Sequence, residues 1–160
     1  MNFLFPGKTR EAFMAEGVAF YLKRLKTMAE AREIILKGAS VPPGAGAAGE
    51  ALAKAKAKEA AAIAEHCRPG EYLIILDVLG RTISSPDLAK QFEKFQNDGV
   101  KAVNLVVGGP WGVDENLLKK ADLRLSFGPM TFPHELARVM LLEQVYRAYA
   151  IMNNLPYHKE

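Results

Sequence analysis

The order of segments predicts a single α/β domain, built on a mostly parallel sheet flanked by helices. Three observations lead there. The apolar runs Tyr72 to Asp77 and Ala102 to Val107 lack the alternation of half-exposed strands, as expected for parallel strands covered on both faces. Segments with helical apolar spacing lie between the probable strands. Finally, 160 residues with 49% hydrophobic and 24% charged side chains suit one ordinary globular core, here taken as residues 1–160.

Each element has its own signature. Asn2 to Phe5 reads as a short strand stopped by Pro6 and Gly7, and Glu11 to Lys26 as a helix whose apolar stripe is Phe13, Val18, Phe20, Tyr21 and Leu25. Lys23, Arg24 and Lys26 occupy the other face of that helix. Ala31 to Leu36 suits a second strand, and Val41-Pro42-Pro43-Gly44-Ala45-Gly46 a loop that no helix or central strand tolerates. From Ala45 to Ala64 eleven of twenty residues are alanine, which predicts a helix with Leu52 and Ile63 on one face. After the strand Tyr72 to Asp77, Ser85 is the expected cap of a helix with Pro86 at its first position, Leu88, Phe92 and Phe95 on its buried stripe, and Gly99 at its end. Ala102 to Val107 is the next strand. A glycine-rich turn, a short helix around Asp114 to Lys120 and a strand ending near Ser126 follow, and Pro133 to Met152 is a long closing helix.

Composition excludes several classes. No uninterrupted apolar run approaches the roughly 20 residues needed to cross a bilayer, and Met1 to Arg10 lacks a signal-peptide core, so a cytoplasmic protein is expected. The single cysteine, Cys67, cannot close an internal disulfide, and no zinc-ligand spacing accompanies it, so no metal is expected. A net charge of +3 permits attraction to a polyanion, and its excess lies at the N-terminal end, where residues 1–40 hold seven Lys/Arg against four Glu.

Three features fall just beyond probable strands: Asp77-Val78-Leu79-Gly80, Gly108-Gly109-Pro110-Trp111-Gly112, and Phe127 to His134. Ligands of open α/β sheets gather at the carboxyl ends of strands, where backbone groups are free and glycine allows close approach, so these loops are expected to build one pocket. Familiar nucleotide motifs are absent. Gly7-Lys8-Thr9 lacks the upstream glycine of a P-loop, since that position is Asn2, and Gly108 to Gly112 is not G-x-G-x-x-G. The C-terminal Tyr157, His158 and Lys159 offer a stacking ring, a proton acceptor and a phosphate contact.

The motifs Leu76-Asp77, Val107-Gly108-Gly109-Pro110-Trp111-Gly112, Thr131-Phe132-Pro133-His134-Glu135-Leu136-Ala137-Arg138-Val139, Glu143-Gln144-Val145-Tyr146-Arg147-Ala148 and Asn154-Leu155-Pro156-Tyr157-His158-Lys159 resemble, in order and spacing, those of the SPOUT-class ribosomal RNA large subunit methyltransferase H family. The likeness spans nearly the whole chain and is strongest from Glu71 onward. It implies a SPOUT-like α/β domain with a C-terminal trefoil knot, a homodimer, S-adenosyl-L-methionine as cofactor, and methylation of N3 of a pseudouridine in 23S rRNA within the assembled ribosome. Carried over by position, the cofactor residues are Leu76, Gly108, Phe127, Gly128, Pro129, Met130, Thr131 and Phe132. The implied catalytic residues are His158, Tyr157 and Arg147, and Lys159, Arg138, Lys23 and Arg24 are expected to bind RNA. Where family members often carry lysines, Val41 to Gly49 has no charge, and Lys159 stands where arginine is common.

N3 of pseudouridine is an imide nitrogen that becomes a good nucleophile only once its proton leaves, which calls for a base such as His158 beside a stacking group such as Tyr157. Arg147 can also pair with Glu143 at i, i+4, and His134, at a helix start, is expected to stay neutral. The apolar circumference of the last helix predicts a homodimer built partly on it. Tyr157 to Lys159 are expected to act on RNA and not on folding, with Pro156 ending the helix. Two other readings remain open at this point: a nucleotide-binding oxidoreductase, and a non-catalytic RNA-binding or ribosome-associated protein.

Overall fold

A computed structural model describes residues 1–41 and 49–158. Its elements are β1 (Asn2–Pro6), α1 (Ala12–Leu25), β2 (Arg32–Leu36), α2 (Glu50–Ala64), β3 (Tyr72–Thr82), α3 (Ser85–Asn97), β4 (Val103–Val107), α4 (Glu115–Leu118), β5 (Leu123–Ser126) and α5 (His134–Met152). The five strands form one sheet in the order β2-β1-β4-β3-β5, and every pairing is parallel. Most of the expected loop at 41–46 and the expected start of the second helix at Ala45 fall outside the described residues.

Side-chain alternation sorts the core into two layers. Phe3, Phe5, Ile74, Leu105 and Val107 face α1, α3 and α5, where they meet Val18, Leu88, Phe92, Leu141 and Val145. Leu4, Leu73, Ile75 and Val106 face the opposite way, towards Ile63 of α2 and Leu117 and Leu118 of α4. Both faces are therefore covered, which is why β1 and β4 are buried at every position and read as apolar runs.

Local chemistry departs from expectation at four places. On α1 the buried side chains are Val18 and Leu25, whereas Phe13 and Phe20 are 64% and 50% exposed. Phe20 lies under the guanidinium of Arg24, 4.3 Å from the ring centroid. The cap of α3 is Ser84, whose Oγ accepts from Asp87 N–H at 3.2 Å, while Ser85 Oγ donates to Gln144 Oε1 at 2.7 Å and ties α3 to α5. β3 runs past Asp77 to Thr82: it leaves β5 after Leu76, bulges outward, and pairs again at Arg81, so that Leu76 and Arg81 both register with Leu125. At the end of α5, Asn154 takes φ 54° and Leu155 N–H donates to Ala150 O at 2.8 Å, so a left-handed Asn residue closes the helix before Pro156 is reached.

Candidate functional site

β3, β4 and β5 are adjacent and parallel, so the loops at their carboxyl ends share one edge of the sheet. The excursion after Leu76, the glycine turn after Val107 and the segment after Ser126 meet there around a cavity of about 470 Å³. Leu76, Gly108, Phe127, Gly128, Met130, Thr131 and Phe132 line it, as do His134 and Ala137 from the first turn of α5. Of the expected cofactor residues only Pro129, which is exposed, is not in the lining.

Short-range chemistry holds these walls in place. Arg124 of β5 donates through Nε to Asp77 Oδ2 at 2.8 Å, fastening the base of the β3 excursion. Buried Ser126 donates through Oγ to Val78 O at 3.0 Å and accepts from Gly128 N–H at 3.1 Å, which joins the first and third loops. Gly108 is required by close approach: a Cβ there would lie 2.7 Å from Val113 Cγ2 and 3.2 Å from the carbonyl carbon of Gly112. The constraint is packing within the loop, in addition to the ligand approach expected of this glycine.

The cavity suits a small organic ligand. Its volume lies within the range of small-ligand sites, and Leu76, Val107, Phe127 and Phe132 supply apolar walls, while the strand ends supply backbone polar groups. His134 forms part of the wall, and burial, followed by the charge of Arg138, holds its imidazole below the ordinary histidine range. Both causes favour the neutral ring expected at this helix start.

Arg138, expected to bind RNA, is held in the core instead of at the surface. Its side chain is fully buried, and its guanidinium lies 4.9 Å from the Phe5 ring centroid. Nη2 donates to Pro6 O at 2.7 Å, and Nη1 donates to Gly7 O and to Thr9 Oγ1 at 3.0 Å each. Glu135, one turn earlier, accepts from Arg10 N–H and Glu11 N–H at the start of α1. Together the two side chains clamp the β1–α1 turn to α5, which gives Gly7-Lys8-Thr9 a structural role.

The expected catalytic residues gather elsewhere, against the second half of α5. Arg147 Nε donates to Glu143 Oε1 at 3.0 Å, the same oxygen accepts from the Tyr157 hydroxyl at 3.0 Å, and Arg147 Nη1 stands 3.4 Å from His158 Nδ1. The Tyr157 ring meets Tyr146 edge-on at 4.7 Å and lies 4.8 Å from the Arg147 guanidinium. Burial first, and then hydrogen bonding to Tyr21 and Glu143, pushes the Tyr157 phenol up, and Glu143 pushes the Arg147 guanidinium up. The tail as far as His158 therefore packs on the helix, contrary to the expectation that it plays no part in folding. Lys159 lies outside the described residues, and Lys23 and Arg24 are exposed on α1.

Neither Tyr157 nor His158 lines the strand-end cavity. A second cavity of about 410 Å³, lined by Tyr21, Phe127, Val139, Met140, Glu143 and Gln144, lies between the two groups. Phe127 lines both cavities, and Glu143 belongs to both the second cavity and the tail cluster. From sequence, Glu143 is legible as the partner of Arg147 alone. The i, i+4 spacing was a signal for that pair, but nothing local announced Tyr157 as a second donor.

Among the described residues there is no group of three metal-ligating side chains, and no helix is long and apolar enough to cross a membrane. Residues 1–158 match the family described as Predicted SPOUT methyltransferase. A ribosomal RNA large subunit methyltransferase H of Pelotomaculum thermopropionicum is 40% identical over 95% of this chain and 94% of its own length. A protein of the same name from Desulfotalea psychrophila is 39% identical over 98% of this chain and 97% of its own. Among solved structures, one described as a probable methylase family protein from Haemophilus influenzae Rd KW20 superposes with a TM-score of 0.52 at 13% identity, covering 99% of this chain and 70% of the other, and so shares the fold. By the match over nearly its whole length and by relatives at this identity, the chain belongs to the SPOUT methyltransferase family.

Proposed function

We propose that this protein is an S-adenosylmethionine-dependent methyltransferase acting on N3 of a pseudouridine in 23S rRNA, in the assembled ribosome and in the cytoplasm. The observation that carries the reading is the meeting of three strand-end loops around one cavity in a chain of this family. The fold is taken as one SPOUT domain over 1–160 with a C-terminal trefoil knot, working as a homodimer in which the tail of one subunit reaches the cofactor of the other. Dimerisation accounts for the separation, within one subunit, of the cavity from the tail cluster.

In the cavity, Leu76, Gly108 and the loop Phe127 to Phe132 hold the cofactor. When bound it supplies a methyl group on a positively charged sulfur, so the chain's own residues need only prepare and align the nucleophile. Tyr157 stacks on the target base, held from one face by Arg147, which Glu143 in turn orients. His158 accepts the N3 proton. Its Nδ1 lies 3.4 Å from Arg147 Nη1, which can only donate, so Nδ1 is the accepting nitrogen and takes the N3 proton once the ring turns from Arg147 to the substrate. Apolar walls exclude competing water, and Lys159, Lys23 and Arg24 meet phosphates. Calorimetry with S-adenosylhomocysteine and with NAD tests the cofactor: binding of the former alone supports the reading, and binding of NAD alone overturns it. Transfer of a labelled methyl group to ribosomes lacking the modification separates an enzyme from a protein that only binds RNA.

A further inference from the structure

The turn Gly109 to Gly112 presents the chain's single tryptophan beside the cavity, and the proposed methyl transfer makes no use of it. Gly109 and Gly112 form an antiparallel bridge in which Gly112 N–H donates to Gly109 O at 3.0 Å. Gly112, at φ 78°, takes the left-handed conformation that such a turn demands and that other residues resist. The closed turn fixes the backbone of Trp111 and leaves its side chain 45% exposed. Leu79 and Met130, on the other two loops of the cavity, are 83% and 67% exposed, so each of the three loops presents an apolar side chain to solvent.

Three occupants suit an exposed indole: the cofactor, a second copy of this chain, and an unpaired nucleobase. The cofactor is disfavoured because Pro110 and Gly112 line the cavity whereas Trp111 does not. A second copy is disfavoured by charge. Lys56 of α2 brings its ammonium to 3.9 Å from the place a Cβ of Gly112 would take, and lysine is depleted from the apolar centres of protein interfaces. The nearby carboxylate of Glu59 is engaged by Ala39 N–H at 2.8 Å. A flat aromatic surface beside an ammonium matches the two halves of a nucleotide, the base on the ring and the phosphate at the cation.

We infer that Trp111 is a stacking platform for an unpaired base of the RNA substrate, next to the base being methylated, and that Lys56 faces the flanking phosphate. The inference rests on the proposed RNA methylation. Because Trp111 is the only tryptophan, its emission reports on the platform directly. A single-stranded oligouridylate should quench that emission, and inorganic polyphosphate should not. Trp111→Ala should weaken oligouridylate binding by about 5- to 150-fold, the range expected for loss of one stacked base, while Trp111→Tyr keeps most of the affinity. Lys56→Ala should flatten the salt dependence by about one phosphate contact. Equal quenching by polyphosphate would overturn the inference in favour of charge alone. Loss of self-association in Trp111→Ala would overturn it in favour of a second copy, and unchanged affinity in Trp111→Ala would overturn it outright. If the wild type methylates ribosomes while Trp111→Ala binds RNA normally, the platform fails and the methyltransferase reading stands. If oligouridylate quenches but the wild type transfers no methyl group, the methyltransferase reading fails, and Trp111 is a base-stacking surface without a methylation site beside it.

Discussion

Replacing Gly108 by alanine puts a methyl group into a loop that has no room for it. The new Cβ would stand 2.7 Å from Val113 Cγ2, and 3.2 and 3.3 Å from the carbonyl carbon and oxygen of Gly112. The valine methyl can rotate away, but the Gly112 peptide cannot move without shifting the turn that walls the cavity. Overpacking of this kind costs about 1–3 kcal/mol. In a domain of this size each kcal/mol lowers Tm by about 2–4 °C, so Gly108→Ala should melt about 2–12 °C below wild type. If all of that strain were relieved in the unbound loop and restored on binding, S-adenosylhomocysteine affinity would fall by about 5- to 150-fold, which sets the upper bound. Differential scanning calorimetry and isothermal titration measure the two effects separately. The double variant Gly108→Ala, Val113→Ala removes the 2.7 Å contact and should recover part of both losses. Wild-type melting and affinity in the single variant would refute the packing argument.

Arg138→Ala should destabilise by about 2–5 kcal/mol in chemical denaturation, because it empties a buried site and strips the donors from Pro6 O, Gly7 O and Thr9 Oγ1; a loss of RNA affinity at unchanged stability would contradict its placement in the core. Ending the chain after Leu155 removes the Tyr157 ring from Tyr146 and its hydrogen bond to Glu143, so stability should drop by about 1–3 kcal/mol. S-adenosylhomocysteine affinity should hold and methyl transfer should cease, and full activity in the truncated protein would place the base elsewhere. His134 has a lowered folded pKa because burial disfavours its cation, so the folded state binds that proton less readily than the unfolded chain does. Its contribution to stability is therefore complete above about pH 6.5 and declines as the pH falls below that value. His134→Gln should flatten this part of the Tm profile, and parallel profiles for the two proteins would count against it.

What was legible in the sequence was whatever local physics determines. β4 and the first part of β3 are apolar because helices cover both sides of the sheet, and α3 announces itself through a serine, a proline and a buried aromatic stripe. The convergence of the three loops was legible too, since parallel strands send their carboxyl ends to one edge. What depended on distant partners was hidden. The return of β3 to pair with β5 after Leu79 depends on strand neighbours, and the bulged residues Val78 and Leu79 look from sequence like a terminated strand. Arg138 looks like a surface cation on a helix until the β1–α1 turn is brought against it. Phe13 and Phe20 lie on the apolar stripe read from spacing, yet they stay exposed on α1. The tail reads as a part that takes no role in folding, but Glu143 and Tyr146, about two turns back from the end of α5, fold Tyr157 against the helix.

The most direct test of the account is nucleoside mass spectrometry on 23S rRNA after incubating the purified protein and S-adenosylmethionine with ribosomes that lack the modification. The account predicts one methyl group per ribosome, on N3 of a single pseudouridine, with none added by the protein truncated after Leu155. Absence of transfer, or a methyl group on a different atom or nucleoside, would contradict it.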